Sequence, residues 1–352
     1  MKKLLAIAVA AALVAPAAAM ADTTLYGKLH VSAGSVKDGD GANVKKRGAV
    51  ESHSSRIGVK GATALDNGME ATYGVELGVQ LDGDAENVSN GTANGLTTRN
   101  TFVGLKGNFG EVRVGKHDTP AKLATAGMDV FADTYGDMNR IIEADAIRAE
   151  NVVAYINKFG PVGFAYAHST DVGGQDRNYN MDYTTDRRFN TPLLTTTDDG
   201  TVKADSIMVN YSNGPFVAAL GHTAAKATHP TIVGSEKAKM TNIGLGYKAE
   251  AGHKVNFIHE TDKVTDAGGS EKAKSNLING VYKIGNVDLK AQYGKTKVSG
   301  TDYSETLTSV GVDYNLGKKT AIYGLVSDNK EKSGGVKTNI NKAAVVGLVT
   351  EF

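Results

Sequence analysis

The sequence predicts an all-β fold, a 16-stranded antiparallel transmembrane β-barrel, on three observations. Short segments alternate apolar and polar residues along most of the chain, which is the period of a strand whose two faces meet different surroundings. The segments number sixteen, and their connections alternate between tight Gly/Asn/Asp turns and longer polar stretches. Beyond the N-terminus no apolar run reaches the roughly 18 residues that a membrane helix needs, so a bilayer would be met only by strands.

Composition narrows the partners. The 352 residues carry 39 Lys+Arg against 38 Asp+Glu, a balance that gives a nucleic acid no basic face to bind. Cysteine is absent, which excludes disulfide scaffolds, thiolate metal centres and a cysteine nucleophile. Residues 1–21 run from Lys2 and Lys3 through the apolar stretch Leu4 to Val14, and close on Ala19-Met20-Ala21, the layout of a cleaved secretory signal. The mature chain is expected to start at Asp22 and to form one barrel domain over 22–352.

Taken in order, the first segment, 24–34, sets Leu25, Leu29 and Val31 against Lys28 and His30. Segments 51–62, 69–81, 98–107 and 111–116 follow, with turns at Asp66-Asn67-Gly68 and Asn108-Phe109-Gly110. Segments 150–157 and 161–169 precede 204–212 and 215–224, the last two joined through Ser212-Asn213-Gly214. Segment 238–248 alternates Ile243, Leu245 and Tyr247 with Asn242, Gly244 and Lys248, and 253–262 and 274–283 come next. The clearest case is 287–297, where Val287, Leu289, Ala291 and Tyr293 interleave with Asp288, Lys290, Gln292 and Gly294. Segments 304–314, 319–327 and 342–352 complete the set. The long polar connections are 35–50, 82–97, 117–147, 170–203 and 328–341, with room for a short helix inside 120–147. Loops sorted into short and long by parity suit a barrel with one rim on each side of a membrane.

Energetics assigns the faces. A Lys or Arg facing mid-bilayer costs about 2–4 kcal/mol, so Asp288 and Lys290 are expected to face inward. Unpaired strand edges in lipid are costlier still, so the last segment is expected to pair with the first. A barrel of about sixteen strands is too wide for side chains to fill, which leaves an aqueous channel.

These segments also resemble a family, the Gram-negative general diffusion porins. The resemblance is carried by Leu25-Tyr26-Gly27-Lys28, Ser55-Arg56-Ile57-Gly58-Val59-Lys60-Gly61, Arg99 with Phe102-Val103-Gly104-Leu105-Lys106, Gly110-Glu111-Val112-Arg113-Val114-Gly115-Lys116, Asn151-Val152-Val153-Ala154-Tyr155 and the terminal Phe352. It implies a homotrimer whose third external loop, here 117–147, folds into the lumen. There, loop acids Asp129, Asp133 and Asp137 would face wall cations Lys28, Arg56, Arg99 and Arg148, with Lys116 at the loop's start. Parity places Lys28 and Arg56 inward, whereas Arg99 shares the parity of Val103 and Leu105. The resemblance further implies that Phe352 is an assembly signal read by the outer-membrane assembly machinery, that 82–97 latches a neighbouring subunit, and that outer-membrane lipids and lipopolysaccharide surround the barrel. No cofactor is expected. The implied function is passive diffusion of small hydrophilic solutes and ions, with the sign of the ion preference open.

Other readings are weaker. Asp38-Gly39-Asp40-Gly41 and Asp82-Gly83-Asp84 lack the late Glu of a calcium loop, and Gly244-x-Gly246 opens no helix. An outer-membrane barrel enzyme of phospholipase or protease type would need a nucleophile and base, which no spacing singles out. A channel specific for sugars would want more aromatic residues than the 7% present, and one for phosphate a dense Lys/Arg cluster.

Overall fold

In the computed structural model, which describes residues 23–40, 43–82, 96–172, 201–228, 235–266 and 268–352, the alternating segments become hydrogen-bonded ladders. Segment 1–21 and most of loop 82–97 lie outside the described residues. The strands are β1 (Thr24–Asp40), β2 (Lys45–Ser52), β3 (Arg56–Ala64), β4 (Glu70–Val79), β5 (Leu96–Gly107), β6 (Gly110–Asp118), β7 (Arg148–Phe159), β8 (Val162–Ser169) and β9 (Thr201–Asn213). They continue as β10 (Phe216–Thr228), β11 (Ser235–Lys248), β12 (Lys254–Asp266), β13 (Gly269–Ile284), β14 (Val287–Val298), β15 (Ser304–Asn315), β16 (Thr320–Ser333) and β17 (Val336–Glu351). β2 and β3 both pair with β1 and act as one stave, so the 17 runs make a closed barrel of 16 staves, all antiparallel.

β1 and β17 close the cylinder from Lys28 opposite Glu351 to Asp40 opposite Asn339. The terminal residue extends the seam: the Phe352 amide donates to the Gly27 carbonyl (3.1 Å) and the Gly27 amide to the Phe352 carbonyl (3.3 Å). Closure leaves no strand edge to lipid.

Two sequence expectations need correction. The second stave is broken at residues 53–55, where Ser54 takes φ 50° and the Ser55 hydroxyl replaces the ladder by accepting from the His30 amide (2.9 Å) and donating to its carbonyl (3.1 Å). Connections 35–50 and 328–341 are mostly strand: β1 runs on to Asp40, β2 begins at Lys45, and β16 and β17 meet at a turn of Gly334 (φ 57°) and Gly335 (φ 76°). Alternation reports contact with lipid, whereas backbone pairing continues past the bilayer where both faces are wet.

The outward face is apolar: Leu29, Val75, Val103, Leu245, Phe257, Ile278, Val312 and Leu348 are all exposed on the isolated chain. The lumen is only partly wet. The connection between β6 and β7 folds inside and packs Met128, Met138, Ile141 and Ile142 against Met208, Ile258, Leu277 and Leu307 of the wall. Phe131 and Tyr135 pack against Val36, Tyr323 and Val345. Burial of each such side chain contributes about 1.5–3 kcal/mol, so apolar contact is the main force seating the loop.

Candidate functional site

The inserted loop begins at Thr119, whose hydroxyl accepts from the Lys122 amide (3.2 Å) to cap the short helix α1 (Pro120–Thr125). The helix lies close to the wall because Gly221 leaves room; a Cβ there would come within 2.8 Å of Ala121 Cα. Inward polar side chains then bind the loop backbone. Asn242 donates to the Ala121 carbonyl (3.0 Å), and Asn256 and Asn279 both donate to the Met128 carbonyl (3.1 and 2.9 Å). Glu260, fully buried, accepts from the amides of Glu143 (2.6 Å) and Ala144 (3.1 Å) at the start of a 3-10 turn.

The charged side chains that meet the loop's tip and its start lie on β1, β3, β6 and β7. Lys28 lies directly opposite Arg56 in the ladder. Asp133, at the loop's tip with φ 58°, reaches across to the Lys28 ammonium (2.8 Å) and the Arg56 guanidinium (3.1 Å). Glu76 accepts from Arg99 Nε (2.6 Å) and from the Tyr26 hydroxyl (2.9 Å). Asp118 pairs with Arg148 (3.0 Å) and with Lys122 of the loop (3.4 Å).

Arg99 faces inward because β5 carries a bulge. Val75 pairs with Thr101 but Leu77 with Thr98, so Arg99 and Asn100 together oppose Glu76 and the parity inverts. Asn100 uses its oxygen to accept from Arg148 Nε (2.8 Å). Lys28, Arg56, Arg99 and Arg148 thus share one wall. Lys116 stands apart: it has the parity of the outward Val112 and Val114 and pairs with Glu150 at 2.7 Å. Lys116 lies inside β6, which runs on to Asp118, so the barrel's alternation and not the loop sets its direction.

Of the three loop acids, only Asp133 meets the wall cations. Asp129 turns back to accept from the amides of Phe131 (2.7 Å) and Met138 (3.0 Å), and Asp137 accepts from those of Asp133 (2.7 Å) and Asn139 (2.9 Å). These two carboxylates shape the loop. The sequence reading omitted Glu76, Asp118, Lys122 and Glu260; the first was legible, since it alternates with Val75 and Leu77.

Charge states follow from these contacts. Burial alone would raise the Asp133 carboxyl, but Lys28 and Arg56 hold it well below the usual range. Asp129 and Asp137 are pushed up by burial, Asp129 also by the charge of Asp137. Asp145 is pushed up to about 7, first by burial and then by Asp137. Oxygens of Asp129, Asp137 and Asp145 lie within 4.8 Å of one another, the one grouping with metal-ligand spacing among the described residues.

A raised carboxyl in the seated loop means that protonation favours seating. That contribution of Asp145 is full below about pH 4 and is lost as the pH climbs towards 7. Asp133 has the opposite sign, contributing above about pH 4 and losing it in stronger acid. Asp145→Asn, which mimics the protonated acid, is expected to raise the unfolding midpoint at pH 7.5 and to have little effect at pH 4.5. Thermal denaturation in detergent at both values checks this; equal shifts at the two would refute it.

Comparisons with known proteins bear on the family and the fold. A profile described as Gram-negative porin matches residues 6–334. The chain belongs to the Gram-negative porin family. It is 29% identical to outer membrane porin protein 32 of Delftia acidovorans over 348 residues, covering 94% of this chain and 90% of that one. It is 28% identical to major outer membrane protein P.IB of Neisseria sicca, covering 100% and 99%. Among solved structures, an anion-selective porin from Comamonas acidovorans superposes with a TM-score of 0.73 at 21% identity, covering 94% of this chain and 99% of that one. The trimer form of OmpT of Vibrio cholerae superposes at 0.64 with 15% identity, covering 94% and 99%. This porin is therefore a channel of the outer membrane.

Proposed function

We propose that the channel passes small hydrophilic solutes by passive diffusion through a slit between the inserted loop and the wall of β1–β7, with a preference for anions. The observation that carries this reading is Asp133 bridging Lys28 and Arg56 across the lumen, which fixes the loop's tip against a basic wall. The wall cations Lys28, Arg56, Arg99 and Arg148 and the loop's Lys122 face the carboxylates Asp133, Glu76 and Asp118, five charges against three. Two positive charges remain in excess, and anion selectivity in the porin from Comamonas acidovorans supports the same sign. Paired charges bias ions without trapping them, as rapid conduction requires.

The mature chain acts as a homotrimer after removal of 1–21, with Phe352 as its assembly signal; the trimeric OmpT form supports the first point and the signal layout the second. Open-channel steps in a planar bilayer, with a reversal potential of anion sign in a KCl gradient, are the expected result. Hydrolysis of phospholipid or peptide by a purified protein that gives no steps would sink it.

A further inference from the structure

Three aspartates of the inserted loop converge although they belong to different turns. Asp129 closes the 3-10 turn Ala126–Met128, Asp137 caps the turn Met138–Arg140, and Asp145 lies within the turn Glu143–Ala146. Asp129 and Asp137 each take two backbone amides, one per carboxylate oxygen, which leaves every oxygen a further lone pair. Asp145 is different. It is 9% exposed, and among the described residues its carboxylate accepts no hydrogen bond and forms no ion pair. A carboxylate taken out of water is costly unless something pairs with it. Glu260 holds the amides of the two residues before it, so the barrel wall aims this unpartnered group at Asp129 and Asp137.

The spacing sets the kind of partner. One oxygen from each acid lies within 4.8 Å of the other two. Calcium binds oxygen at about 2.3–2.6 Å, so ligand atoms up to about 4.8 Å apart can share one ion. Magnesium, at about 2.0–2.1 Å, needs them within about 4.2 Å and gives up its own waters reluctantly. Local charge has the same sense. The cation acting on Asp137 and Asp145 is Lys122, and its ammonium already pairs with Asp118 at 3.4 Å. There is also a way in. Asp129 lines a cavity of about 550 Å³ between the loop and the wall near the short turns, where four lysines and four acids balance, so a cation is not repelled.

We propose that Asp129, Asp137 and Asp145 bind a calcium ion, with waters from the cavity filling the remaining coordination positions. The ion ties three separate turns of the loop together at a point where three like charges otherwise repel. The site goes beyond the channel reading, because it concerns what holds the loop in shape, and it stands apart from the contact of Asp133 with Lys28 and Arg56. It also gives Asp145→Asn two opposite effects: relief of repulsion where calcium is absent, and loss of a ligand where calcium is present.

The test uses the full mature chain in detergent, stripped of metal with a chelator and titrated at pH 7.5 with calcium chloride or magnesium chloride. Calorimetry is expected to show one calcium ion per chain with a dissociation constant of about 10⁻⁴–10⁻³ M, and magnesium at least about tenfold weaker. Saturating calcium should raise the unfolding midpoint. Because Asp145 accepts no hydrogen bond among the described residues, Asp145→Asn leaves the loop's contacts in place. This variant is expected to bind calcium at least about tenfold more weakly and to show no calcium-dependent rise. Asp205→Asn, on the outer wall beside Tyr166 and His168, should keep both. The absence of a saturable calcium site, magnesium binding of equal strength, undiminished binding by Asp145→Asn, or loss of binding in Asp205→Asn would each overturn the proposal. Bilayer currents are recorded on the same samples; a lack of open-channel steps would count against the channel reading, whereas the calcium titration alone decides the site.

Discussion

Asp133→Asn is expected to strengthen the anion preference of the open channel, while Asp137→Asn leaves it unchanged. The two acids sit four residues apart on one loop, yet only Asp133 faces Lys28 and Arg56, and Asp137 is spent on the amides of Asp133 and Asn139. The substitution is sterically mild, since Asn tolerates the φ of 58° at this position better than most residues. Removing one negative charge about 7 Å from the ion path changes an ion's energy by about 0.6 kcal/mol in water and about 2.4 kcal/mol at an effective dielectric near 20. The shift is opposite in sign for anion and cation and so doubles in their ratio; at the lower figure, reduced further by salt screening, the anion-to-cation permeability ratio should rise about threefold to sevenfold, more at low ionic strength. Arg56→Ala should move the ratio the other way by a similar factor. Reversal potentials in a salt gradient read all three. If Asp137→Asn shifts the potential as much as Asp133→Asn, or Arg56→Ala leaves it in place, the slit is not where the ions are sorted.

Glu260→Ala is expected to give a noisy channel that remains folded. Glu260 lies fully buried on β12, and its carboxylate holds the amides of Glu143 and Ala144. Each hydrogen bond to a charged group contributes about 1.5–3 kcal/mol, against about 1.5–3 kcal/mol for each of the loop's buried apolar side chains. Loss of this one clamp therefore cannot expel a loop still seated by Met138, Ile141, Ile142 and Phe131. It frees the stretch leading back to Arg148, and with it the distance from Asp118 to the loop. Single-channel records should show frequent sub-conductance steps in Glu260→Ala and fewer in Glu260→Gln, which keeps one acceptor oxygen. A quiet trace from Glu260→Ala, with unchanged mean conductance, would remove the clamp from the account of how the slit is held.

Much of the barrel is legible in the sequence. Alternation over 287–297 assigned Asp288 and Lys290 to the lumen, and the even count of segments required the antiparallel seam between β1 and β17. These features are local or follow from counting, because a strand's two faces obey a period of two and lipid penalises charge on one of them. Tertiary structure decided the rest. Arg99 turned inward through one extra residue in β5, visible only once Val75 and Leu77 found their partners. Leu277 and Leu307, apolar yet facing the lumen, make sense only under Met138, Ile141 and Ile142 of the inserted loop. Asp129, Asp133 and Asp137 are the same residue type within nine positions, and their separate duties depend on which backbone amides and which wall cations each one meets. Loops carry no period to read, so the sequence by itself determined the cylinder, whereas the side of it left open, and the charges lining that opening, were settled by long-range packing.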